Sequence, residues 1–429
     1  MSDFDELFRD SEEIYEKWNL TEIPFSESAE KMTRLGEVFT GRRQELGQTI
    51  NLLRSRDAKS ILVYGWIGIG KTAFIKEVLS GLQRNMKKIL TASIKLEPNT
   101  DLATAALIAL AREMPEDDWA QFQLNRMGLL SDRTLYDRKT TAGGKLVFEG
   151  KVEETAIAPE APQFPSLSFE DLLDRALKTR DRVVIAIDDL DKQEPAQARK
   201  LLLDAQGLLK GRAWFLLTGH PSGITRDYLI SDRGLFDLPL KLEPLDEDTS
   251  YEMLVKYLNT ARRRPITERS RSVDPENPDD LNVVHPFTLE TARELCQIAH
   301  GVPRWLNRMG NYILLKAAEL GEPKINDRVF QIGLEYAREQ LRGQPGLTPQ
   351  DYYVLDMVLE KGILSDASVT LEELERVKAE TFSEILPILD KLVEYDLLQR
   401  MPTERAMEYA PMPLLEQARD PEEPENEKR

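Results

Sequence analysis

The stretch that most constrains the fold is GWIGIGKTAF, Gly65 to Phe74, which directly follows the apolar run from Ile61 to Tyr64. It places three glycines and a lysine within eight positions, immediately before the helical pattern TAFIKEVLSGLQ. Glycine is costly in a helix, so glycines here indicate a backbone that takes positive φ or approaches a bound group closely. The stretch therefore predicts a strand, a tight binding loop and a helix in succession.

The spacing of Gly65, Gly70, Lys71 and Thr72 fits the phosphate-loop pattern G-x-x-x-x-G-K-[ST]. Backbone N–H groups of such a loop cradle phosphates, and the following helix adds the positive end of its dipole. Lys71 is the candidate contact to the β- and γ-phosphates, and the Thr72 hydroxyl is a candidate Mg²⁺ ligand. The full set of candidate nucleotide contacts in this loop is Gly65, Gly68, Gly70, Lys71, Thr72 and Ala73.

An apolar strand that ends in acids, DRVVIAIDDLDK, supplies the partner motif. Asp188 is the first acid after the apolar run, and we expect it to hold Mg²⁺. Asp189 follows where a general base for the attacking water would sit. Asp191 is better explained as a turn former.

Apolar strand-like runs alternate with helical patterns from about Val38 to Leu245, which predicts a parallel α/β sheet of the P-loop NTPase type. Alternation around Gly150 predicts a hairpin and a Pro-rich linker inserted at 131–166. The predicted strands are Ser60–Tyr64, Ile89–Ile94, Val183–Ile187, Trp214–Thr218 and Leu238–Leu242.

The pattern becomes wholly helical from Asp246, and the last unit predicts three helices followed by two short strands, as in a winged helix-turn-helix. The tail is polar and charged, which is typical of disorder. The predicted organisation is an N-terminal arm (1–35), the α/β domain (36–245), a helical lid (246–340), a winged helix (346–415) and an acidic tail (416–429).

Two further segments carry polar residues where a phosphate could be sensed. WFLLTGHP is a buried strand that ends in Thr218 and His220, either of which could orient water, while His220 could equally cap or pack. HGVPRWLNRMG begins a lid helix with Pro303 and Arg304. An arginine on a mobile lid can bridge to the γ-phosphate, and Arg308, one turn on, competes with Arg304 for that role.

The order of these motifs resembles AAA+ ATPases of the origin-initiator and STAND-like kind, over about 38–415. The resemblance implies ATP or ADP with Mg²⁺ as ligands, and it places Val38, Phe39 and Arg42 of FTGRRQEL near the adenine. It also implies an arginine finger for a neighbouring subunit at Arg233, which could equally be a solvated surface residue.

The sequence departs from that family at two places. The acid after Asp188 is an aspartate where a vigorous hydrolase usually has glutamate, and a base displaced by about 1 Å can cost a hundredfold in rate. Trp66 and Ile67 stand where initiators usually have prolines. Both departures favour the STAND or KAP-like branch and a slow switch.

Composition limits the partners. The 57 basic and 75 acidic residues give a net charge of −18, so nucleic acid could be bound only at a local basic patch. The predicted recognition helix, Thr381 to Leu398, carries four acids against Lys391 alone, which disfavours DNA. The arginine-rich lid segment around Arg262 is the other basic candidate, with a solvated loop as its alternative.

One cysteine, no secretion signal and no apolar run of membrane-spanning length predict a cytoplasmic protein that does not enter membranes. We expect a nucleotide-dependent switch that acts on a protein partner or in a homo-oligomer, with ATP bound between the α/β domain and the lid. A DNA-loading initiator and a scaffold that never hydrolyses nucleotide are the alternatives.

Overall fold

A computed structural model describes residues 3–25, 35–65, 68–97, 100–129, 162–190, 195–219, 234–264, 266, 282–342, 347–395, 397–402 and 407–412. The chain divides into two compact units. We call the first the sheet unit (Gln44–Gly65 and Phe74–Lys241) and the second the helical unit (Met1–Arg43, Trp66–Ala73 and Leu242–Arg429). Each has its own hydrophobic core.

The sheet unit is built on five parallel strands in the order β2-β3-β4-β1-β5. This arrangement confirms the predicted α/β P-loop NTPase fold. The strands are β1 (Ser60–Tyr64), β2 (Ile89–Lys95), β3 (Arg182–Asp188), β4 (Trp214–Gly219) and β5 (Leu238–Lys241). The helices of this part of the chain are α3 (Arg43–Leu53), α4 (Lys71–Asn85), α5 (Leu102–Arg112), α6 (Asp118–Arg126), α7 (Pro165–Leu177), α8 (Pro195–Asp204) and α9 (Gln206–Leu209).

The core of the sheet unit explains why its strands read as unbroken apolar runs. Every residue of β4 is buried, as is every residue of β3 after Arg182, because parallel strands of this kind are covered on both faces. Phe215 on β4 packs against Phe169 on α7, with ring centroids 6.1 Å apart. The predicted hairpin and most of its linker lie outside the described residues, whereas α6 is a helix that the sequence analysis did not predict.

The helical unit contains the described helices of both chain termini. They are α1 (Asp3–Lys17), α2 (Leu35–Val38), α10 (Glu247–Thr260), α11 (Leu289–Ile298), α12 (Pro303–Glu319), α13 (Asp327–Arg342), α14 (Pro349–Lys361), α15 (Leu371–Arg376) and α16 (Phe382–Glu394), followed by β6 (Leu398–Pro402) and β7 (Met407–Pro411). The strands β6 and β7 form an antiparallel pair. The three helices and two strands that the sequence predicts for the last unit are therefore present.

One continuous core joins the N-terminal helix, the lid helices and the C-terminal helices. Trp18 and Leu20 follow α1 and are fully buried in it. The indole N–H of Trp18 donates to the carbonyl of Glu322 at 3.1 Å, and Leu20 forms an antiparallel bridge with Arg262. The segment that follows α1 therefore contacts the lid region of the helical unit.

Within the described ranges, none of the helices combines the length and the apolar character that crossing a bilayer requires.

Candidate functional site

The phosphate loop connects β1 to α4, which begins at Lys71. Gly68 and Gly70 have φ of +79° and +99°, values that favour glycine and turn the backbone back on itself. Lys71 and Thr72 therefore occupy the first turn of α4, where the helix dipole favours an anion. Trp66 and Ile67 lie outside the described residues.

The first turn of α12 lies against this loop within the helical unit. The backbone N–H of Arg304 donates to the carbonyl of Gly68 at 3.3 Å. A Cβ built on Gly68 would come within 2.9 Å of the Arg304 Cβ, so only glycine allows the two backbones to approach this closely. The sequence-predicted phosphate sensor Arg304 is therefore a direct neighbour of the phosphate loop, and Arg308 is half-buried one turn further along α12.

The residues expected near the adenine lie in the same unit. Val38 ends α2 and is buried in the core, whereas Phe39 is half-buried and its carbonyl accepts a hydrogen bond from Lys256 Nζ at 3.4 Å. Arg42 is 5% exposed and its Nη2 donates to the carbonyl of Ile69 at 3.3 Å. Arg42 thus braces the phosphate loop. The assignment of these three residues to the adenine remains a prediction.

The start of the lid, from Leu245 to Thr249, contacts both the loop before Arg304 and the loop around Arg42. The Leu245 N–H donates to the carbonyl of Gly301 at 2.9 Å, and a Cβ on Gly301 would lie 2.0 Å from the Leu245 carbonyl oxygen. Next to Arg42, a Cβ built on Gly41 would lie 2.2 Å from Thr249 Cγ2. The loop around Arg42, the start of the lid and the loop before Arg304 are therefore held in close backbone contact.

In the sheet unit, the acids and Thr218 meet at the carboxyl ends of β3 and β4. The Thr218 hydroxyl donates to Asp188 Oδ1 at 2.5 Å and accepts from the Asp189 N–H at 3.0 Å. Thr218 is fully buried and Asp188 is 7% exposed. A buried threonine that uses its hydroxyl as both donor and acceptor fixes the Asp188 carboxylate and the backbone of Asp189.

Asp189 has an unusual backbone and a charged neighbour. Its φ is +64°, a left-handed conformation that few residues other than glycine, asparagine and aspartate adopt. One carboxylate oxygen lies 3.7 Å from Lys95 Nζ at the end of β2, where Lys95 pairs in register with Asp188. Lys95 belongs to none of the motifs found in the sequence. A charged residue at the end of a strand beside the acid-bearing strand is the signal that could have identified it.

Three sequence-predicted positions lie outside the described residues, namely Asp191, His220 and Arg233. Their predicted roles stay predictions.

Two arginines of the lid segment, Arg262 and Arg263, contact other parts of the helical unit. Arg262 is 7% exposed and donates to the carbonyls of Val283 at 2.9 Å and His285 at 2.7 Å. Burial lowers its pKa to about 10, so it stays charged at neutral pH. Arg263 pairs with Glu16 of α1 at 2.8 Å. Arg262 is therefore a structural cation and has no free surface for an acidic partner.

The helix expected to approach DNA is α16, and its one lysine, Lys391, forms an ion pair within the helical unit. Lys391 Nζ lies 2.6 Å from Asp351 Oδ2, whose side chain is 5% exposed. Arg400 on β6 forms an ion pair with Asp390, which also accepts a 2.9 Å hydrogen bond from the Tyr409 hydroxyl. The first contact neutralises the one lysine of α16, whereas the second neutralises one of its acids.

Comparison with known proteins gives one family match. Residues 38–214 match the family described as AAA ATPase domain. No curated protein gives a significant match. Among solved structures, the Aeropyrum pernix Orc1 protein in complex with DNA is similar at 14% identity and a TM-score of 0.50, covering 92% of this chain and 93% of that chain.

Two other solved structures are similar at lower TM-scores. Cdc6p from Pyrobaculum aerophilum has 15% identity and a TM-score of 0.43, covering 91% of this chain and 95% of that one. The Thermotoga maritima RuvB Holliday junction branch migration motor has 16% identity and a TM-score of 0.41, covering 90% and 97%. At these identities, the similarity to Orc1 supports the fold alone. The family match covers the segment that holds the phosphate loop and strands β1 to β3, and the fold is that of an α/β P-loop NTPase.

Proposed function

We propose that this chain is an ATP-binding, slowly hydrolysing regulatory ATPase that acts as a nucleotide-dependent conformational switch for a protein partner or an assembly. The observation that carries the proposal is the hydrogen bond from the Arg304 N–H to the carbonyl of Gly68. Because the lid helix touches the phosphate loop directly, a change at the phosphates acts on α12 without an intervening element. A switch needs such a coupling between ligand and lid.

The residues of the phosphate loop and of β3 fit ATP with Mg²⁺. Positive φ at Gly68 and Gly70 suits a loop whose amides face phosphate oxygens, and Lys71 supplies the cation. The Thr72 hydroxyl and the Asp188 carboxylate are the hard oxygen ligands that Mg²⁺ prefers. The metal ion would neutralise charge that develops on the phosphates during transfer.

Three side chains of the protein have separate proposed roles in ATP hydrolysis. Asp189 accepts a proton from the attacking water, with its backbone fixed by Thr218. The aspartate side chain is one methylene shorter than glutamate, which supports slow turnover. Arg304 senses the γ-phosphate, and Arg233 contributes only where subunits stack.

We assign the last unit to a winged helix that contacts protein. The support is the charge of α16, where the one described lysine is held by Asp351 and the exposed acids include Glu384 and Glu394. We retain the predicted domain boundaries, a cytoplasmic location and the STAND-like branch as parts of the same proposal.

The test is steady-state ATP hydrolysis by the full chain, with and without a 30-base-pair duplex. We expect slow turnover that is indifferent to the duplex. Lys71→Ala should weaken ATP binding, whereas Asp189→Asn should keep binding and lower turnover by about 10²-fold or more, as loss of a general base does. Asp204→Asn, an exposed acid on α8, is the matched control and should leave turnover unchanged.

If wild type hydrolyses ATP no faster than Asp189→Asn, the protein is a scaffold that binds nucleotide without hydrolysing it, and the switch proposal is wrong. Duplex-stimulated turnover that both variants abolish would favour the second candidate, an ATP-gated DNA-binding ATPase of the initiator or transposition type. The observation that favours this candidate is the fold similarity to an Orc1 protein whose structure was solved in complex with DNA.

A further inference from the structure

The sheet unit concentrates positive charge at the amino ends of its strands. The turns that precede β1, β2, β3 and β4 comprise residues 54–59, 84–88, 178–182 and 210–212, in which eleven of nineteen residues are lysine or arginine and two are aspartate. We call these four turns the basic edge. The rest of the chain must be strongly acidic, because the whole carries a net charge of −18.

Hydrogen bonds between the turns show that they lie side by side. The Asp181 N–H donates to the carbonyl of Lys88 at 2.8 Å, which joins the turns before β3 and β2. The Ser60 hydroxyl donates to the carbonyl of Leu209 at 2.6 Å, next to the turn before β4. Arg182 donates to the carbonyl of Leu53, directly before Arg54. The basic edge is therefore one continuous surface of the sheet unit.

Four of the eleven cations are engaged within the sheet unit. Lys59 pairs with Asp237 at 3.1 Å and Arg84 with Glu77 at 2.7 Å. Arg212 binds both Glu170 and Asp174, and Arg182 also lies over the ring of Trp214. The other seven are exposed and have no ion-pair partner in the part of the chain that the structure describes; they are Arg54, Arg56, Lys87, Lys88, Lys178, Arg180 and Lys210.

The order of the strands turns these cations into a row. Turns before β2, β3, β4 and β1 follow one another along the sheet, and adjacent strands are about 4.8 Å apart. The row therefore extends over about 15 Å, the width of four strands. A single phosphate would use one point of such a row, whereas a polyphosphate backbone would follow its length.

The composition of the edge favours nucleic acid over an acidic protein. Protein interfaces have an apolar core and are depleted in lysine. The four turns expose one large apolar side chain, Met86 at 36%, among seven exposed cations, four of which are lysines. Protein–nucleic acid interfaces are polar and strongly positive.

We propose that the basic edge binds the phosphate backbone of a nucleic acid without reading its sequence. Seven side-chain cations in a row would neutralise several phosphates, and contacts of this kind to the phosphate backbone carry no sequence information. The surface is built from the amino ends of the strands, whereas Asp188 and Thr218 lie at the carboxyl ends. Binding at the edge is therefore independent of the proposed nucleotide chemistry.

The test is fluorescence anisotropy of a labelled 30-base-pair duplex of random sequence with the full chain, titrated from low to high salt. The variant Lys87→Glu/Lys88→Glu/Arg180→Glu removes three cations of the row. Its matched control is Arg9→Glu/Arg112→Glu/Lys378→Glu, three exposed cations elsewhere, which lowers the net charge by the same amount.

We expect wild type and the control to bind the duplex, with affinity that falls steeply as salt rises. The edge variant should bind at least about tenfold more weakly, and the slope of log K against log salt should flatten by about three, one for each lost phosphate contact. Its ATP hydrolysis should equal that of wild type, which separates this result from a failure of the nucleotide proposal.

Three results would overturn the inference. The first is that wild type does not bind the duplex at low salt. The second is that the edge variant and the control lose affinity for the duplex equally. The third is that wild type binds poly-L-glutamate but not the duplex. The last would assign the edge to an acidic protein segment.

Discussion

The ammonium group of Lys95 lies 3.7 Å from a carboxylate oxygen of Asp189, across the neighbouring strands β2 and β3. This contact holds the proposed general base beside a cation, which draws its side chain toward the end of β2. Lys95 therefore acts as a restraint on Asp189.

Lys95→Met should raise the rate of ATP hydrolysis about two- to fivefold, because a partly exposed ion pair is worth about 0.2–1 kcal/mol. The measurement is kcat at saturating ATP. Lys88→Met removes the same charge before the other end of the same strand and should leave kcat unchanged. A fall in kcat in Lys95→Met would mean that Lys95 assists the reaction.

Gly301 should tolerate no side chain. Its φ is +71°, and an added Cβ would lie 2.0 Å from the backbone oxygen of Leu245, so Gly301→Ala must separate the loop before Arg304 from the start of the lid. We expect this variant to lose several °C of Tm and to bind ATP more weakly. Gly321 has nearly the same φ, +66°, with nothing within 4 Å of an added Cβ.

Gly321→Ala should therefore lose only the about 1–2 kcal/mol that a left-handed backbone costs a residue with a Cβ. Its ATP affinity should be normal. The two variants are compared by thermal unfolding and by ATP titration. Equal effects of the two substitutions would show that the close contact at Leu245 is unimportant.

His285 should make the helical unit sensitive to acid. It is 3% exposed, its Nε2 lies 3.1 Å from the carbonyl of Lys17, and burial lowers its pKa to about 4. Because a carbonyl only accepts, Nε2 carries the proton of the neutral ring. The unfolded chain takes up a second ring proton below about pH 6.5 and the folded chain only below about 4, so stability falls as pH falls through this window.

The expected loss from this residue is about 2 kcal/mol between pH 7 and pH 5. His285→Gln keeps a donor for the Lys17 carbonyl without titrating, and should reduce the pH dependence by that amount in chemical unfolding experiments. His300→Gln, which changes an exposed histidine, is the control. An unchanged pH dependence in His285→Gln would contradict the assignment.

The sheet could be predicted closely because its strands are buried on both faces and appear as continuous apolar runs. The predicted Ser60–Tyr64 is β1 as observed; β2, β4 and β5 differ from prediction by one residue at one end, and β3 by one residue at each end. Helix α6 was missed because it follows α5 after a short break at Met114 and Pro115 and has a weak apolar pattern. Its start is fixed by Asp117, whose carboxylate accepts from Ala120 N–H at 2.9 Å.

The phosphate loop could be predicted because its pattern is local in sequence. Contacts across the fold could not. Arg262 and Arg263 are adjacent in a run of three arginines, yet Arg262 is buried and donates to the carbonyls of Val283 and His285, whereas Arg263 is exposed. The basic edge escaped notice because each of its four turns carries only two or three cations, and parallel strand order alone brings them together.

The most direct test of the switch compares the affinities of wild type for ATPγS and for ADP in the presence of Mg²⁺. A ligand can shift a conformational equilibrium only by its differential affinity for the two states. We expect ATPγS to bind at least about tenfold more tightly, a difference of about 1.4 kcal/mol, and Arg304→Ala to remove that preference while Arg308→Ala retains it. Equal affinity of wild type for the two nucleotides would contradict the account.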